Sequence, residues 1–243
     1  MLFRSEPKSA PKIFDYWKKE RLNWYLNLGI KKENLRLKEV PKSELAHYAK
    51  KAVDIEYKFP FGWQEIEGIH NRGDWDLSNH SKYSGQDLKY EGSFPYIIET
   101  SAGADRSLFA FLCDAYQEVK GGRTETTKSA KEVEVVLKLA RSLAPIKVAV
   151  LPLVKNEPKL VKKAKAIYET LKPYFMCQYD ETGSIGRRYR RQDEVGTIFC
   201  LTIDFESLEK DDLTIRYRDS MKQKRIKIKD IKECLEKLLS KTA

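Results

Sequence analysis

The segment from Tyr96 to Leu112 constrains the fold of this chain more than any other. An apolar run predicts a buried strand, the small residues up to Gly103 predict a tight turn, and a helix follows with Arg106 in its first turn. Glu99 and Ser101 fall on one face at the end of the strand, because side chains alternate along a strand. A helix N-terminus beside an arginine suits phosphate groups. The segment therefore predicts a nucleotide site, or an ordinary strand-to-helix turn with a capping serine.

The charge of the chain favours a polyanionic partner. Its 243 residues include 46 Lys or Arg and 36 Asp or Glu, which gives a net charge of +10. From Ile146 to the end there are 22 Lys or Arg and 15 Asp or Glu, so +7 of this excess lies there. Nucleic acid is the first candidate partner and an acidic membrane the second. The alternative is a basic protein with no such partner.

No apolar run is long enough to span a membrane, and no signal peptide is visible. The cysteines are widely spaced and form no CxxC pair, which is typical of buried free thiols in a reducing compartment. The sequence therefore predicts a cytoplasmic protein that does not associate with membranes.

Strands and helices alternate along the chain, which predicts helices packed on sheets. The hydrophobic periodicity predicts helices over residues 12–28, 43–51, 104–119, 157–171 and 231–239. It predicts strands over 35–37, 52–58, 63–71, 94–100, 147–153, 175–179, 197–204, 213–219 and 225–229. A glycine-rich, polar stretch over 120–134 predicts a surface connection. We therefore expect two domains, 1–145, with the connection at about 120–145, and 146–243.

Two further groups of charged residues are candidates for binding. In Gly183–Glu194 four arginines surround Tyr189, a composition that suits an RNA backbone and an unstacked base, and a second basic cluster runs from Arg216 to Lys229. Glu65 and Glu67 alternate on a predicted strand, so both can face one side and hold Mg²⁺ beside a phosphate site. The alternatives are a solvated charged face for the arginines and an exposed strand edge for the glutamates.

These segments occur together, in this order, in one family. The chain resembles the C-terminal half of the dimeric class II glycyl-tRNA synthetases from about Lys12 onward. The matching stretches are Phe14–Leu22, Leu45–Lys50, Val53–Trp63, Glu65–Ile69, Glu99–Arg106, Lys147–Leu153, Gly183–Glu194 and Arg218–Gln223. The resemblance implies an α+β and α/β fold. The end of a class II synthetase catalytic domain, with its antiparallel sheet, would be followed by a mixed-sheet α/β anticodon-binding domain.

The resemblance also implies site residues. The glycine-binding residues would be Glu99, Thr100, Ser101, Ala102 and Gly103. The ATP-binding residues would be Glu65, Ile66, Gly103, Ala104, Asp105 and Arg106, with Glu65 the candidate ligand of Mg²⁺. The tRNA-binding residues would be Arg187, Arg188, Arg190, Arg191, Arg216 and Arg218.

The implied function is ATP-dependent charging of tRNA(Gly) with glycine through glycyl-adenylate, in a homodimer. Two departures from the family stand out. Thr100 replaces a residue that is usually proline, which we expect to be tolerated. The first and second class-defining motifs are absent, so no catalytic set is complete and we expect the chain to be inactive alone. It would be a truncated sequence or one half of a split enzyme with a separately encoded N-terminal half. The alternative is a non-catalytic module that binds tRNA or other RNA.

Overall fold

The structure is a computed structural model that describes residues 1–121, 123 and 133–240. The chain divides into two compact units, Met1–Asp114 and Ala115–Ala243. Among the described residues, none of the helices has the length and apolar character that a membrane crossing requires.

The first unit is built on a five-stranded antiparallel sheet. Its strands are β1 (Leu2–Ser5), β2 (Leu35–Glu39), β3 (Lys51–Phe59), β4 (Gly62–Gly73) and β5 (Tyr96–Ala102), in the spatial order β1-β5-β4-β3-β2. Its helices are α1 (Ala10–Asn27), α2 (Trp75–Ser84) and α3 (Ala104–Ala115). This confirms the antiparallel sheet that the family resemblance predicts.

The two faces of this sheet differ, because side chains alternate along each strand. On one face Val53, Ile69 and Ile98 are buried, and α1 packs against β4 and β5. Tyr25 of α1 stacks on Phe111 of α3, with 5.9 Å between the ring centroids. The other face carries polar residues of β3, β4 and β5, and we call it the open face. All candidate residues for glycine and ATP lie on this sheet or at the start of α3.

A bulge in β4 corrects one prediction. Glu67 pairs with Ile55 and Glu65 pairs with Glu56, which leaves Ile66 as an extra residue on β4. An extra residue reverses the alternation, so Glu65 and Glu67 lie on opposite faces of the sheet. The predicted pair of carboxylates on one side is therefore wrong. Glu67 is buried under α1, where its two oxygens accept hydrogen bonds of 2.7 and 3.0 Å from Arg21.

One predicted helix is wrong, and another is confirmed over Ala104–Ala115 but ends earlier than predicted. Only a short 3₁₀ turn, Lys42–Glu44, forms in the segment predicted as a helix over 43–51. The segment does not continue as a helix, because His47 and Tyr48 pack their rings against Trp75 and His70. The helix predicted over 104–119 ends at Ala115, because the following residues alternate between exposed and half-buried positions and form a strand.

The second unit contains a hairpin and a mixed sheet. The hairpin strands are β6 (Tyr116–Lys120) and β7 (Val133–Leu137), so part of the predicted connection is a strand, while residues 122 and 124–132 of it lie outside the described residues. The sheet strands are β8 (Val148–Pro152), β9 (Cys177–Tyr179), β10 (Phe199–Ile203), β11 (Asp212–Tyr217) and β12 (Gln223–Lys227), in the order β12-β11-β10-β8-β9. The helices are α4 (Pro158–Leu171), α5 (Ile185–Val195), α6 (Phe205–Lys210) and α7 (Ile231–Ser240).

Helices cover both faces of this sheet, as its buried strands predict. Val148 and Val150 belong to a core that includes residues of α4 and α7, whereas Ala149 packs with Tyr189 of α5. Strand β8 is parallel to β9 and β10, and β10, β11 and β12 are antiparallel. The division into compact units falls before the hairpin, because β7 packs against α5. It thus differs from the domain boundary that the sequence predicts at residue 145.

The bulge predicts different effects for the two glutamates of β4. Glu67→Ala leaves the guanidinium of Arg21 without its partner in a largely buried position, and we expect a loss of about 3 kcal/mol of unfolding free energy. Glu65 is exposed, so Glu65→Ala should change stability by less than about 0.5 kcal/mol. Urea denaturation of both variants checks this, and equal losses would contradict the assignment of opposite faces.

Candidate functional site

The two segments predicted to bind ATP meet in the first unit. The backbone N–H of Gly103 donates to the carbonyl of Ile66 at 3.2 Å, and Nη1 of Arg106 donates to the carbonyl of Glu65 at 3.0 Å. These contacts join the bulge of β4 to the turn between β5 and α3. Residues far apart in the sequence are thereby brought to one place on the molecule.

This junction is open to solvent. Residues 101–106 are all exposed, including Ala102, Ala104 and Asp105, and the first turn of α3 begins within them. A Cβ on Gly103 would lie 3.4 Å from Cβ of Arg106, so the glycine keeps this turn close to the arginine side chain. The arrangement offers an exposed helix N-terminus and a guanidinium in one place, which is the chemistry that binds phosphate groups.

Glu99 is held on the open face by an arginine that the sequence analysis did not single out. Nη1 of Arg72 donates to Oε2 of Glu99 at 2.5 Å, and the same guanidinium donates to both carboxylate oxygens of Asp76 at 2.6 and 2.8 Å. It also lies over the ring of Tyr48, 4.0 Å from the centroid. We call Arg72, Asp76 and Glu99 the Arg72 cluster. Its one cation and two carboxylates give a net charge of −1, so an ammonium group beside Glu99 would meet a carboxylate whose charge is not neutralised.

Arg72 reaches Glu99 because of a second bulge. Asn71 pairs with Ile98 and Gly73 pairs with Ile97, so Arg72 is the extra residue on β4. Hydrogen bonds from the guanidinium lower the pKa of Asp76, and the same bonds raise the pKa of Arg72. The only signal in the sequence was an acidic residue four positions after a basic one, at a strand-to-helix junction.

The open face around Glu99 is crowded and acidic. The imidazole of His70 fills the space over Gly68, where a Cβ would lie 2.7 Å from Cε1 of the ring and 3.5 Å from Oε1 of Glu65. Burial raises the pKa of Asp54, and the nearby charge of Glu65 raises it further. Within the described residues no group of three or more side chains has a geometry that would hold a metal ion. Glu65 is an exposed carboxylate beside the junction with Arg106.

Thr100 continues the strand, as predicted. Its side chain is buried, and its N–H donates to the carbonyl of Met1 at 2.9 Å. A proline at this position could not make that bond. Ser101 follows with an exposed side chain, on the same face as Glu99.

Three of the arginines predicted to bind tRNA are buried in the second unit. Arg188 is 1% exposed, and its guanidinium donates to the carbonyls of Pro152, Leu153 and Gly183. Arg216 donates to both oxygens of Asp193 at 2.9 and 2.8 Å. Arg218 donates to carbonyls that include those of Leu137, Leu139 and Gly196. These three guanidinium groups donate to oxygen atoms of the same chain, because a buried guanidinium needs acceptors from the protein.

The prediction of an arginine surface for RNA is therefore narrowed to three residues of α5. Arg187 is exposed. Arg190 forms an ion pair with Glu134 at 3.1 Å, and Arg191 forms one with Asp180 at 2.5 Å. Arg191 remains partly accessible, with 42% of its side chain exposed. The segment forms a helix, Ile185–Val195, and the sequence alone did not reveal which of its arginines point inward.

Comparison with known proteins supports both units. The family model described as "Anticodon binding domain" matches residues 147–238. The glycine–tRNA ligase of Acetivibrio thermocellus is 49% identical over 237 residues, which are 94% of this chain and 49% of that protein. The glycine–tRNA ligase of Streptomyces coelicolor is 46% identical over 240 residues, 95% of this chain and 51% of that protein. The chain thus spans about half the length of the curated relatives it matches.

A solved structure shows the same fold. Prolyl-tRNA synthetase from Cryptosporidium parvum, in complex with L-proline and AMP, superimposes with a TM-score of 0.66 at 17% identity. The match covers 98% of this chain and 49% of that one. The predicted fold class and the predicted resemblance are confirmed by these comparisons.

The Arg72 cluster predicts a pH-dependent contribution to stability. The folded-state pKa of Asp76 is lowered by Arg72, so the pair stabilises the fold above the unfolded pKa of about 3.9 and is lost as the pH falls through the folded value. Asp76→Asn should therefore lower the unfolding free energy by about 1–2 kcal/mol at pH 7, and by less near pH 3.

Urea titrations that follow the unfolding of the first unit at pH 7 and at pH 3 measure this difference. Asp15→Asn is a suitable control, because Asp15 is exposed and its ion pair with Lys18 lies on the surface of α1. A difference between Asp76→Asn and the parent chain that stays constant from pH 7 to pH 3 would contradict the prediction.

Neighbouring arginines of α5 should behave in opposite ways. Arg188→Ala removes a buried side chain and leaves carbonyl groups without donors, so we expect a loss of about 3 kcal/mol in the second unit. Arg187→Ala should cost less than about 0.5 kcal/mol, because Arg187 is exposed. Thermal unfolding followed by circular dichroism distinguishes the two variants, and similar melting temperatures would contradict the burial of Arg188.

Proposed function

We propose, from the relationship of this chain to the class II glycyl-tRNA synthetases, that it carries one part of a glycine–tRNA ligase. The first unit would contribute to the glycine and ATP sites, and the second unit would bind the anticodon region of tRNA(Gly). The observation that carries the proposal is the junction between Glu65–Ile66 and Gly103–Arg106, beside Glu99, in a chain 46–49% identical to glycine–tRNA ligases.

Glycine would bind on the open face. The ammonium group would contact Glu99 and Ser101, where the Arg72 cluster leaves one uncompensated negative charge. The imidazole of His70 over Gly68 limits the room beside them. A crowded pocket selects the smallest amino acid by bulk, because a larger side chain would meet the imidazole.

ATP would bind at the open junction. Arg106 and the first turn of α3 would face the phosphates, and the backbone of Ile66 and Gly103 would lie beside the adenosine. Mg²⁺ is held largely by phosphate oxygens and few carboxylates, and Glu65 is the exposed carboxylate that we assign to it. Mg²⁺ held there would supply charge neutralisation for the phosphates. The glycine carboxylate would form a bond to the α-phosphorus as the bond from that phosphorus to the bridging oxygen of the β-phosphate breaks, so that glycyl-adenylate forms and pyrophosphate leaves.

The site in this chain is one side of a pocket. We expect the chain alone not to form glycyl-adenylate, because it spans only about half the length of the glycine–tRNA ligases that it matches. The family relationship further suggests a homodimer in the cytoplasm. A glycine-dependent exchange of pyrophosphate into ATP by the chain alone would contradict this expectation.

The second unit should bind tRNA through the exposed side of α5. Arg187→Ala removes an exposed cation, so we expect the affinity for tRNA(Gly) to fall several-fold and the slope of log K against log salt to decrease by about 1. Filter binding at several salt concentrations measures both quantities.

Lys162→Ala is the matched control for this measurement. Lys162 is also exposed and carries one charge, but it lies on α4, which packs on the other face of the sheet. Equal losses for the two variants would contradict a specific surface on α5. RNA binding without any binding of ATP, in the presence of the rest of a synthetase, would favour the non-catalytic alternative.

A further inference from the structure

Three aromatic rings lie together beside the Arg72 cluster, and the proposed function gives them no role. His47 contacts Trp75 and Tyr48 edge to face, with 5.1 and 5.3 Å between ring centroids. The guanidinium of Arg72, which is bound to Glu99, lies over the ring of Tyr48. We call His47, Tyr48 and Trp75 the aromatic platform. The platform therefore borders the place that we assign to the glycine ammonium group.

Two rings of the platform are open to solvent. Trp75 is 44% exposed and His47 is exposed as well, whereas Tyr48 is half-buried. Tryptophan offers a broad apolar ring with a polar N–H and is enriched where proteins bind partners. Exposed aromatic rings bind unpaired nucleobases by stacking, because every base has a π-face.

The charge around the platform suits the end of a nucleic acid strand better than its interior. The Arg72 cluster carries a net charge of −1, and Asp74 directly precedes Trp75. The ammonium group of Lys50 lies 3.8 Å from Asp74 and 2.5 Å from the hydroxyl of Tyr96, and the Lys50 side chain is 49% exposed. Successive phosphates would be repelled by the carboxylates. A terminal nucleotide brings a single phosphate for Lys50, and its ribose hydroxyls can donate to a carboxylate.

The platform and the candidate glycine site share Arg72. Its guanidinium contacts both Glu99 and Tyr48, so a base on the platform would lie close to a glycyl group at Glu99. In the proposed reaction the 3′ ribose of tRNA must come to that glycyl group. A ribose hydroxyl oxygen would bond to the glycyl carbonyl carbon as the bond from that carbon to the phosphate oxygen of AMP breaks, and the hydroxyl proton would pass to that phosphate.

We propose that the aromatic platform stacks the unpaired 3′-terminal base of tRNA and thereby positions its ribose beside the glycine site. The inference rests on the proposed function. His47 and Trp75 are positioning residues, because they contact the base and not the reacting atoms. Lys50 meets the phosphate of the same nucleotide.

The test uses the full chain and a hairpin RNA with the acceptor-stem sequence of tRNA(Gly). The hairpin has no anticodon, so anticodon contacts of the second unit do not contribute to its binding. One form carries a single-stranded 3′ end with 2-aminopurine as the last base, and the other form is blunt. Stacking on an aromatic ring quenches the fluorescence of 2-aminopurine, so a titration reports both the affinity and the contact of the terminal base.

Three variants separate the ring from the rest of the helix. Trp75→Ala removes the ring and Trp75→Phe keeps a smaller one. Tyr83→Ala is the matched control, because Tyr83 lies on the same helix and is 79% exposed. Circular dichroism verifies that each variant is folded.

We expect the parent chain and Tyr83→Ala to quench the terminal 2-aminopurine and to bind the single-stranded form more tightly than the blunt form. Trp75→Ala should lose the quenching and bind the single-stranded form at least about fivefold more weakly, with unchanged affinity for the blunt form. Trp75→Phe should retain most of the quenching, since a phenyl ring still stacks.

Equal or absent binding of the two hairpins by the parent chain, or quenching that survives in Trp75→Ala, would overturn the inference. So would weaker binding of glycine by Trp75→Ala with unchanged quenching, because the rings would then hold an ammonium group. Each of these results would leave the proposed function intact. Stacking on Trp75 without any binding of ATP or glycine would instead contradict the catalytic proposal and leave the platform intact.

Discussion

The pairing of β4 with β5 is the interaction on which the first unit depends. Its register places Glu99 opposite His70 and Ser101 opposite Gly68, so these residues share the open face. A slip of β5 by one residue would move Glu99 and Ser101 to the helix-covered face. The buried residue Ile98 opposes such a slip, because the slip would expose it to solvent. The hydrophobic core under α1 thus fixes the register, and the register determines which polar groups face a ligand.

Two bulges in β4 then change the face on which individual side chains lie. The extra residue Ile66 sends Glu67 to the buried side, where Arg21 neutralises it, and leaves Glu65 beside the start of α3. The extra residue Arg72 reaches from the same strand to Glu99 and to Asp76. Bulges re-aim side chains beside functional sites without changing the rest of a sheet. In this unit both of them lie next to residues that the family resemblance assigns to the substrates.

The sequence predicted regular elements well and local irregularities badly, for a physical reason. Strands over 52–58 and 63–71 were recognised because alternation of apolar residues depends only on one buried face. A bulge inserts one residue without altering that composition, so the sequence does not reveal that Glu65 and Glu67 lie on opposite faces of the sheet. The arginines of α5 show the same limit. Arg188 and Arg187 are adjacent and chemically identical, and it is Arg188 that meets the carbonyls of Leu153 and Gly183 and is buried.

The buried arginines alter how the basic charge of the second unit should be interpreted. Arg188 ties the end of β8 to the start of α5, while Asp193 on α5 binds Arg216 on β11. Replacing a buried ion pair by apolar residues is often neutral for stability, but breaking it is costly, so such pairs specify one arrangement. Part of the positive charge therefore holds α5 on the sheet. Because α5 is held at both ends, Arg187 is presented from a rigid helix, and a polyanion that contacts it needs to order little of the protein.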